Sequence, residues 1–423
     1  MIRTLVLAAV LLAACSGPSG SDGGSGGGAG GSGGTGGSGG SGGAGGTGGS
    51  GGTGGSGGGG GTGGSGGTGG SGGGTGGSGG AGGGGAPSGV PFVYVGGNAL
   101  ITVYRLNPAT GALTLQSAAD GGNNPSFLAV NPAARRLYAV AEGGAGRVVA
   151  YAINPMTGAL TFLNSQPVGN GPAHVEVDKT GRWVAAANYG GGTSVILPVT
   201  DAGVGLQVDN EATGANAHQF VFAADNRFAV VPALGTDSVV QYLFNDQTGQ
   251  LTLNAVQSVA TANGAGPRHI AFHPSGRFAY LINELNDTMT AMTWDGDAGR
   301  LAPIHTLSTL PGGVNGNTNT CAEVVVHPSG AYVYGSNRGH NSIVTFAIDQ
   351  DAGSMTLVGH TATGGNTPRN FTVDPTGRLM LVANQGSNNV VAFAIDGGSL
   401  SSLGVVANPS SPAYVGVVYL PGP

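Results

Sequence analysis

A strand–turn–strand pattern of constant length returns six times between about residue 120 and the C-terminus, and this repeat constrains the fold more than any other feature. The best-preserved copy reads GPRHIAFHPSGRFAYLINE and ends at Glu284. One such unit cannot bury its apolar face alone, so neighbouring units must pack on one another. Strand-type apolar runs dominate and helical periodicity is absent. The sequence therefore predicts an all-β repeat protein.

The units can be counted from two independent markers. The residue before each first strand is Pro125, Pro172, Ala217, Pro267, Cys321, Pro368 or Pro412. The six complete hairpins end seventeen residues later, at Glu142, Tyr189, Leu234, Glu284, Arg338 and Gln385. A later turn glycine occurs once per unit, at Gly111, Gly158, Gly203, Gly249, Gly299, Gly353 and Gly398. Intervals of about 45 to 54 residues suit a four-stranded blade, so both markers predict a seven-bladed β-propeller.

The seventh blade is split between the two ends of the propeller domain. Residues 411–418 form an inner strand with no partner after it, and residues 91–97 form the strand that should follow. Pairing them closes the ring and removes two exposed sheet edges. The alternative is a six-bladed ring with loose ends. We therefore expect the propeller to occupy residues 91–423.

The segment before the propeller predicts export. Arg3 is followed by an apolar run, Leu5 to Leu12, that is too short to span a bilayer, and Leu12-Ala13-Ala14-Cys15 resembles a bacterial lipobox. Residues 1–15 are thus predicted to be a lipoprotein signal peptide with Cys15 as the lipidated residue. The alternative is a plain secretory signal with an incidental cysteine. Residues 16–90, rich in Gly, Ser and Thr, are predicted to be a disordered tether. Localisation at the cell envelope follows, on the outer membrane or cell surface, with the lipid as the only membrane contact.

Charge and cysteine content narrow the possible partners. The net charge is −6 and no basic stretch is present, which argues against a nucleic-acid partner. Only Cys321 remains besides Cys15, so no intramolecular disulfide is expected and the propeller must be stable through its core. We expect a monomer without a cofactor.

Ionisable residues concentrate at one end of the inner hairpins in three consecutive units. His218 lies in one unit, Arg268 and Glu284 in the next, and Arg338 in the third. Antiparallel pairing is expected to place Arg268 directly opposite Glu284. Two guanidiniums suit an anionic ligand, a carboxylate can act as a base and a histidine as an acid, so these groups could open a lactone without a metal. The alternative is a purely structural ion pair. Strand alternation is expected to point His269 and His174 away from the channel.

The strings GPRHIAFHPSGRFAYLINEL and CAEVVVHPSGAYVYGSNRGHNSI resemble the seven-bladed propeller lactonases. That family includes the bacterial propeller-type 6-phosphogluconolactonase and a fungal muconate lactonising enzyme. The resemblance covers residues 91–423 and implies a catalytic set of His218, Arg268, Glu284 and Arg338. The chain departs from the family pattern at Asn216, Ala233 and Ala141, which thins the polar surroundings of that set.

The leading hypothesis is a metal-independent lactone hydrolase acting on a sugar-type or other anionic lactone. Arg268 and Arg338 would hold the anionic group and the developing oxyanion. Glu284 would activate water and His218 would protonate the leaving alkoxide, or these two roles would be exchanged. The alternatives are a non-catalytic surface propeller that binds a glycan or protein, and a metal-dependent lactonase, for which Glu142, Glu284 and Asn283 form an unconvincing ligand set.

Overall fold

The computed structural model describes residues 87–314 and 316–422. The predicted signal peptide, Cys15 and nearly all of the predicted tether lie outside the described residues. Within them, 29 strands and three short 3-10 helices form the regular structure. The 3-10 helices are Leu234–Thr236, Gly316–Thr318 and Gln385–Ser387. No helix in the described part of the chain is long and apolar enough to cross a membrane.

The strands form seven antiparallel sheets, which are the blades. Blade 1 contains β1 (Val90–Gly97), β2 (Leu100–Leu106), β3 (Leu113–Asp120) and the last strand, β29 (Pro412–Leu420). Blade 2 contains β4 (Leu128–Asn131), β5 (Arg136–Ala141), β6 (Arg147–Ile153) and β7 (Leu160–Pro167). Blade 3 contains β8 (Pro172–Val177), β9 (Trp183–Asn188), β10 (Thr193–Thr200), β11 (Gly203–Val204) and β12 (Asp209–Ala212). Blade 4 contains β13 (Val221–Phe222), β14 (Phe228–Ala233), β15 (Ser238–Asn245) and β16 (Gln250–Ala260).

In each of the remaining three blades the strands are named from the inner strand outwards. Blade 5 contains β17 (Pro267–Phe272), β18 (Phe278–Asn283), β19 (Thr288–Asp295) and β20 (Arg300–Ser308). Blade 6 contains β21 (Cys321–Val326), β22 (Tyr332–Asn337), β23 (Ser342–Ile348) and β24 (Met355–Ala362). Blade 7 contains β25 (Pro368–Val373), β26 (Leu379–Asn384), β27 (Asn389–Asp396) and β28 (Ser399–Ala407).

Blade 1 closes the ring through pairing of the first and last strands. β29 pairs with β1 in antiparallel register, with Phe92 opposite Val418 and Val93 opposite Val417. The predicted seven-bladed propeller and its mode of closure are confirmed, and the six-bladed alternative is wrong. Because β29 is the inner strand of its blade, β1 is paired on both sides, with β29 towards the axis and β2 on the outside.

Aromatic residues and turn glycines hold neighbouring blades together. Tyr94 in β1 donates its hydroxyl hydrogen to the carbonyl of Gly158 in blade 2 at 2.9 Å, and Tyr280 in β18 does the same to Gly353 in blade 6 at 3.0 Å. Gly299, with φ of +66°, shows why glycine recurs at this turn: a Cβ there would overlap the ring of Phe228 in the preceding blade. The predicted turn glycines are therefore also contacts between blades.

The inner hairpins contain a bulge that the sequence did not predict. In blade 5 the register shifts between Pro267 and His269, so that Pro267 pairs with Asn283 and Arg268 has no backbone partner. The same shift follows the first residue of the inner strand in blades 3, 6 and 7. The expected direct pairing of Arg268 with Glu284 is wrong, because Glu284 lies one residue beyond the end of β18. A bulge re-aims side chains, so strict alternation fails at this end of the inner strand.

Candidate active site

All seven blades contribute to one small cavity on the propeller axis, through residues at or just before the start of their inner strands. Its lining residues are Ser126, Phe127, Ala173, His218, Arg268, His269, Glu323, Arg369, Asn370 and Ala413. The cavity volume of about 10 Å³ is near the minimum for one water molecule. Five of these ten residues follow directly on one of the predicted unit markers, and a sixth, Ala413, follows Pro412. The positions that follow the unit markers therefore gather around the axial cavity.

Glu284 lies between two guanidiniums beside this cavity. Its Oε2 is 2.9 Å from Nε of Arg268, and its Oε1 is 2.8 Å from Nη2 of Arg338. The Arg268 contact is an ion pair without good hydrogen-bond geometry, since the Nε of Arg268 has no hydrogen-bond acceptor. Both arginines also donate to main-chain carbonyls, Arg268 to Ala322 at 2.7 Å and Arg338 to Cys321 at 2.9 Å. The structure thus brings together three of the four residues predicted from the sequence.

The charge state of Glu284 follows from these contacts. Burial alone would raise the pKa of Glu284, but the guanidiniums of Arg268 and Arg338 outweigh it and hold the pKa below its ordinary value. Burial and the neighbouring Arg338 lower the pKa of Arg268 to about 9, which still leaves it charged at neutral pH. Glu284 is therefore a carboxylate under ordinary conditions, and a weakly basic one.

His218, the fourth predicted residue, lies in the same cavity but has different neighbours. It occupies the segment before β13, with its ring centroid 5.0 Å from that of His269 and 5.6 Å from that of Tyr189. Among the described residues it forms no hydrogen bond or ion pair with Glu284, and its buried Nδ1 has no partner. Burial, followed by the charge of Arg268, lowers the pKa of His218 well below its usual value. His218 is therefore a neutral imidazole at neutral pH.

His269 was wrongly expected to point away from the channel. The bulge at Arg268 turns both residues towards the cavity, where Nδ1 of His269 lies 2.9 Å from Oε1 of Glu323. The other carboxylate oxygen of Glu323 accepts a hydrogen bond from Asn370. Burial raises the pKa of Glu323 to about 7 and lowers that of His269 well below its usual range. His174 was excluded by the same reasoning, and it packs on Phe127 and His269 with ring centroids 4.0 and 5.7 Å apart.

Arg369 is a further cation in the cavity that the sequence reasoning did not single out. Its charge interacts with Glu142, Arg338, Glu284 and Tyr189. The sequence contained a signal for it, because Pro368-Arg369 occupies the same unit position as Pro267-Arg268. The sequence contained no comparable signal for Glu323. The register shift after Cys321 places Glu323 in the cavity lining, whereas its neighbour Ala322 is not part of that lining.

The remaining donors do not point to a metal or a reactive thiol. In residues 87–314 and 316–422, no group of three or more His, Cys, Asp and Glu side chains is arranged to hold a metal ion. Cys321 is fully buried and unpaired, and burial raises the pKa of its thiol well above its usual value. The ionisable side chains that line or adjoin the axial cavity are those of arginine, glutamate and histidine.

Comparison with known proteins agrees with this picture. Curated relatives include the 6-phosphogluconolactonases of Pectobacterium carotovorum, 36% identical over 138 residues, and Bacillus subtilis, 35% identical over 150 residues. These alignments cover 33% and 36% of this chain, and only 41% and 42% of those proteins' own lengths. The solved structure of a periplasmic gluconolactonase from Pseudomonas aeruginosa superimposes with a TM-score of 0.73 at 29% identity, covering 78% of this chain and all of that one. Residues 92–417 match the family described as "Lactonase, 7-bladed beta-propeller", and the chain belongs to that family.

Proposed function

We propose that this protein is a lactone hydrolase that works without a metal at the propeller axis. The observation that carries the proposal is the placement of Glu284 between two guanidiniums, beside a cavity that also contains a neutral histidine. The names of the related 6-phosphogluconolactonases and of the structurally similar gluconolactonase support a sugar-type lactone as substrate. An exported, lipid-anchored location remains part of the proposal and favours a lactone found outside the cytoplasm.

The electrostatics favour one of the two proton assignments that the sequence left open. The surroundings lower the pKa of both groups, but both carboxylate oxygens of Glu284 already contact guanidiniums, whereas Nδ1 of the neutral His218 imidazole has no partner and can accept a proton. We therefore assign His218 as the base that takes a proton from water as the water oxygen attacks the ring carbonyl. The ring C–O bond then breaks, and His218 returns the proton to the departing alkoxide. His218 thus acts first as a base and then as an acid, and the proton that it takes from water ends on the alkoxide oxygen.

In this scheme Arg268 and Arg338 stabilise the negative charge that develops on the carbonyl oxygen of the lactone. Glu284 and the carbonyls of Ala322 and Cys321 fix both guanidiniums before substrate arrives, so little reorganisation is needed when charge develops on the carbonyl oxygen. Glu284 is thus a positioning residue for the two arginines. The cavity has room for about one water molecule, which suits the attacking nucleophile.

The test is hydrolysis of D-glucono-1,5-lactone by the full chain, corrected for spontaneous opening, before and after dialysis against EDTA. His218→Gln should lower kcat/KM by about 100-fold or more, the usual contribution of a general base. His305→Gln, which changes an imidazole on the outer strand β20, is the matched control. Since the pKa of His218 is lowered, the acid limb of the wild-type profile should lie below pH 6.5. Wild-type turnover no faster than the spontaneous rate would reject the lactonase and favour the surface-propeller alternative.

A further inference from the structure

Arg369 differs from the two other guanidiniums at the axis in having no protein partner. Within the described residues it forms neither a hydrogen bond nor an ion pair, although it lines the same cavity as Arg268 and His218. Buried or half-buried arginines normally satisfy their five N–H groups with carboxylates or carbonyls. Arg369 is only partly exposed and lines the cavity, and its N–H groups have no acceptor among the described residues.

The guanidiniums of Arg268 and Arg338 already have protein partners. Arg268 and Arg338 share one carboxylate, Glu284, and each binds a main-chain carbonyl. Their contacts with Glu284 and with the main-chain carbonyls hold them in position for the ring carbonyl. Arg369 has no such partner, so it is the guanidinium best placed to bind a second anionic group.

Three guanidiniums, of Arg268, Arg338 and Arg369, share the axial site with three carboxyl groups, of Glu284, Glu142 and Glu323. Glu284 pairs with the other two arginines, and Glu323 contacts His269 and Asn370, so neither of them pairs with Arg369. Glu142 attracts Arg369 but lies beyond ion-pair distance, and its Oε2 instead accepts a hydrogen bond from Nδ2 of Asn124 at 2.7 Å. Neither side chain neutralises the other by direct contact, so Arg369 keeps its charge available for an anion.

We propose that Arg369 binds a carboxylate or phosphate group that the lactone carries away from its ring carbonyl, and so selects acidic lactones over neutral ones. This proposal rests on the proposed function. A guanidinium grips either acid group with two parallel hydrogen bonds, which a hydroxyl group cannot reproduce. The ring carbonyl then lies near Arg268 and His218 while the acid group reaches blade 7.

The kinetic test compares two lactones that differ only at carbon 6. D-glucaro-1,4-lactone carries a carboxylate there and D-glucono-1,4-lactone carries a hydroxymethyl group, and kcat/KM is measured for both with the full chain. Arg369→Gln should reduce the acidic-to-neutral ratio of kcat/KM by about 10- to 100-fold, the usual value of a charged hydrogen bond. Arg369→Lys, which keeps the charge but loses the paired geometry, should reduce it less. Arg300→Gln removes the same charge from the exposed start of β20 and should leave the ratio unchanged.

Glu142→Gln separates a substrate site from a structural cation. If Arg369 exists to balance Glu142, removing either side chain should affect the protein in the same way. If Arg369 binds the substrate's acid group, Glu142→Gln should raise the acidic-to-neutral ratio, because a competing carboxylate has been removed, while Arg369→Gln lowers it. Opposite shifts support the proposal, and shifts in the same direction contradict it.

Equilibrium binding distinguishes this proposal from the proposed function. Calorimetric titration with gluconate, glucarate and 6-phosphogluconate uses open acids that lactone hydrolysis cannot consume. Tighter binding of glucarate or 6-phosphogluconate than of gluconate, lost in Arg369→Gln, supports the anion site even if no lactone is hydrolysed. The acid that shows the larger loss identifies the group as carboxylate or phosphate. The proposal is wrong if the wild type prefers the neutral lactone, or if Arg369→Gln and Arg300→Gln behave alike in both assays.

Discussion

Replacement of Glu284 by glutamine tests whether the contacts of Glu284 with Arg268 and Arg338 stabilise the fold in addition to positioning the two arginines for the reaction. The substitution keeps the shape of the side chain and removes the only carboxylate that contacts Arg268 and Arg338 among the described residues. Breaking a buried ion pair by removing one partner costs about 3–5 kcal/mol. Both guanidiniums keep a bond to a main-chain carbonyl, at 2.7 and 2.9 Å, so we expect the lower end of that range, about 3 kcal/mol.

The pH dependence makes this prediction specific. The pKa of Glu284 is lowered in the fold, so its stabilising contribution is present above the ordinary value of 4.5 and is lost as the pH falls through the folded value. Urea unfolding of the wild type and of Glu284→Gln should therefore differ most at pH 7 and converge towards pH 3. Asp297→Asn, on an exposed turn, is the control and should change little at either pH. A Glu284→Gln protein as stable as the wild type at pH 7, or equally destabilised at both pH values, would refute the reasoning.

Three further predictions follow from other parts of the chain. Gly299→Ala should destabilise the propeller by about 1–3 kcal/mol more than Gly276→Ala in denaturant unfolding, because both have positive φ but only Gly299 faces an aromatic ring; equal losses would contradict this. Burial raises the pKa of Glu323 to about 7, so its ionisation weakens the fold as the pH rises from about 4.5 to 7. Glu323→Gln should therefore gain stability relative to the wild type between pH 5 and pH 8. A difference in unfolding free energy between the two proteins that stays constant over this range would argue against it. Cys15→Ser should move the protein from the membrane fraction to the soluble fraction if Cys15 carries the proposed lipid, and an unchanged distribution would rule the anchor out.

The sequence predicted the ring better than it predicted the individual side chains in the cavity. The marker prolines and turn glycines recur because each blade packs against its neighbours in the same way. Their spacing therefore predicted the number of blades. The predicted hairpin ends were each one residue too late: the second strand of blade 5 ends at Asn283 and that of blade 6 at Asn337. These errors are small because strand length is set by the height of the blade.

The cavity was harder to predict because it depends on a local irregularity. The predicted hairpin brought the side chain of Arg268 near that of Glu284, although the two residues are not directly opposed. Strand alternation excluded His269, because nothing in the sequence marks the bulge between Pro267 and His269. The same irregularity brings Glu323 into the cavity in place of its neighbour Ala322. Register is a property of the paired strands rather than of one strand, so a single strand's pattern could not reveal it. The role proposed for Arg369 depends on its lack of a protein partner, which only the structure shows.

Closure of the ring by β29 also sets an order of events during synthesis. Ala413 lines the axial cavity, the ring of Tyr414 packs 4.8 Å from that of Phe127, and the amide of Val415 donates to the side chain of Asn370 at 2.9 Å. Asn370 in turn holds Glu323. The cavity therefore lacks one wall until the ribosome has released residues close to the end of the described chain. A nascent chain that contains every candidate catalytic residue but lacks β29 is still expected to be inactive, because β29 completes the site.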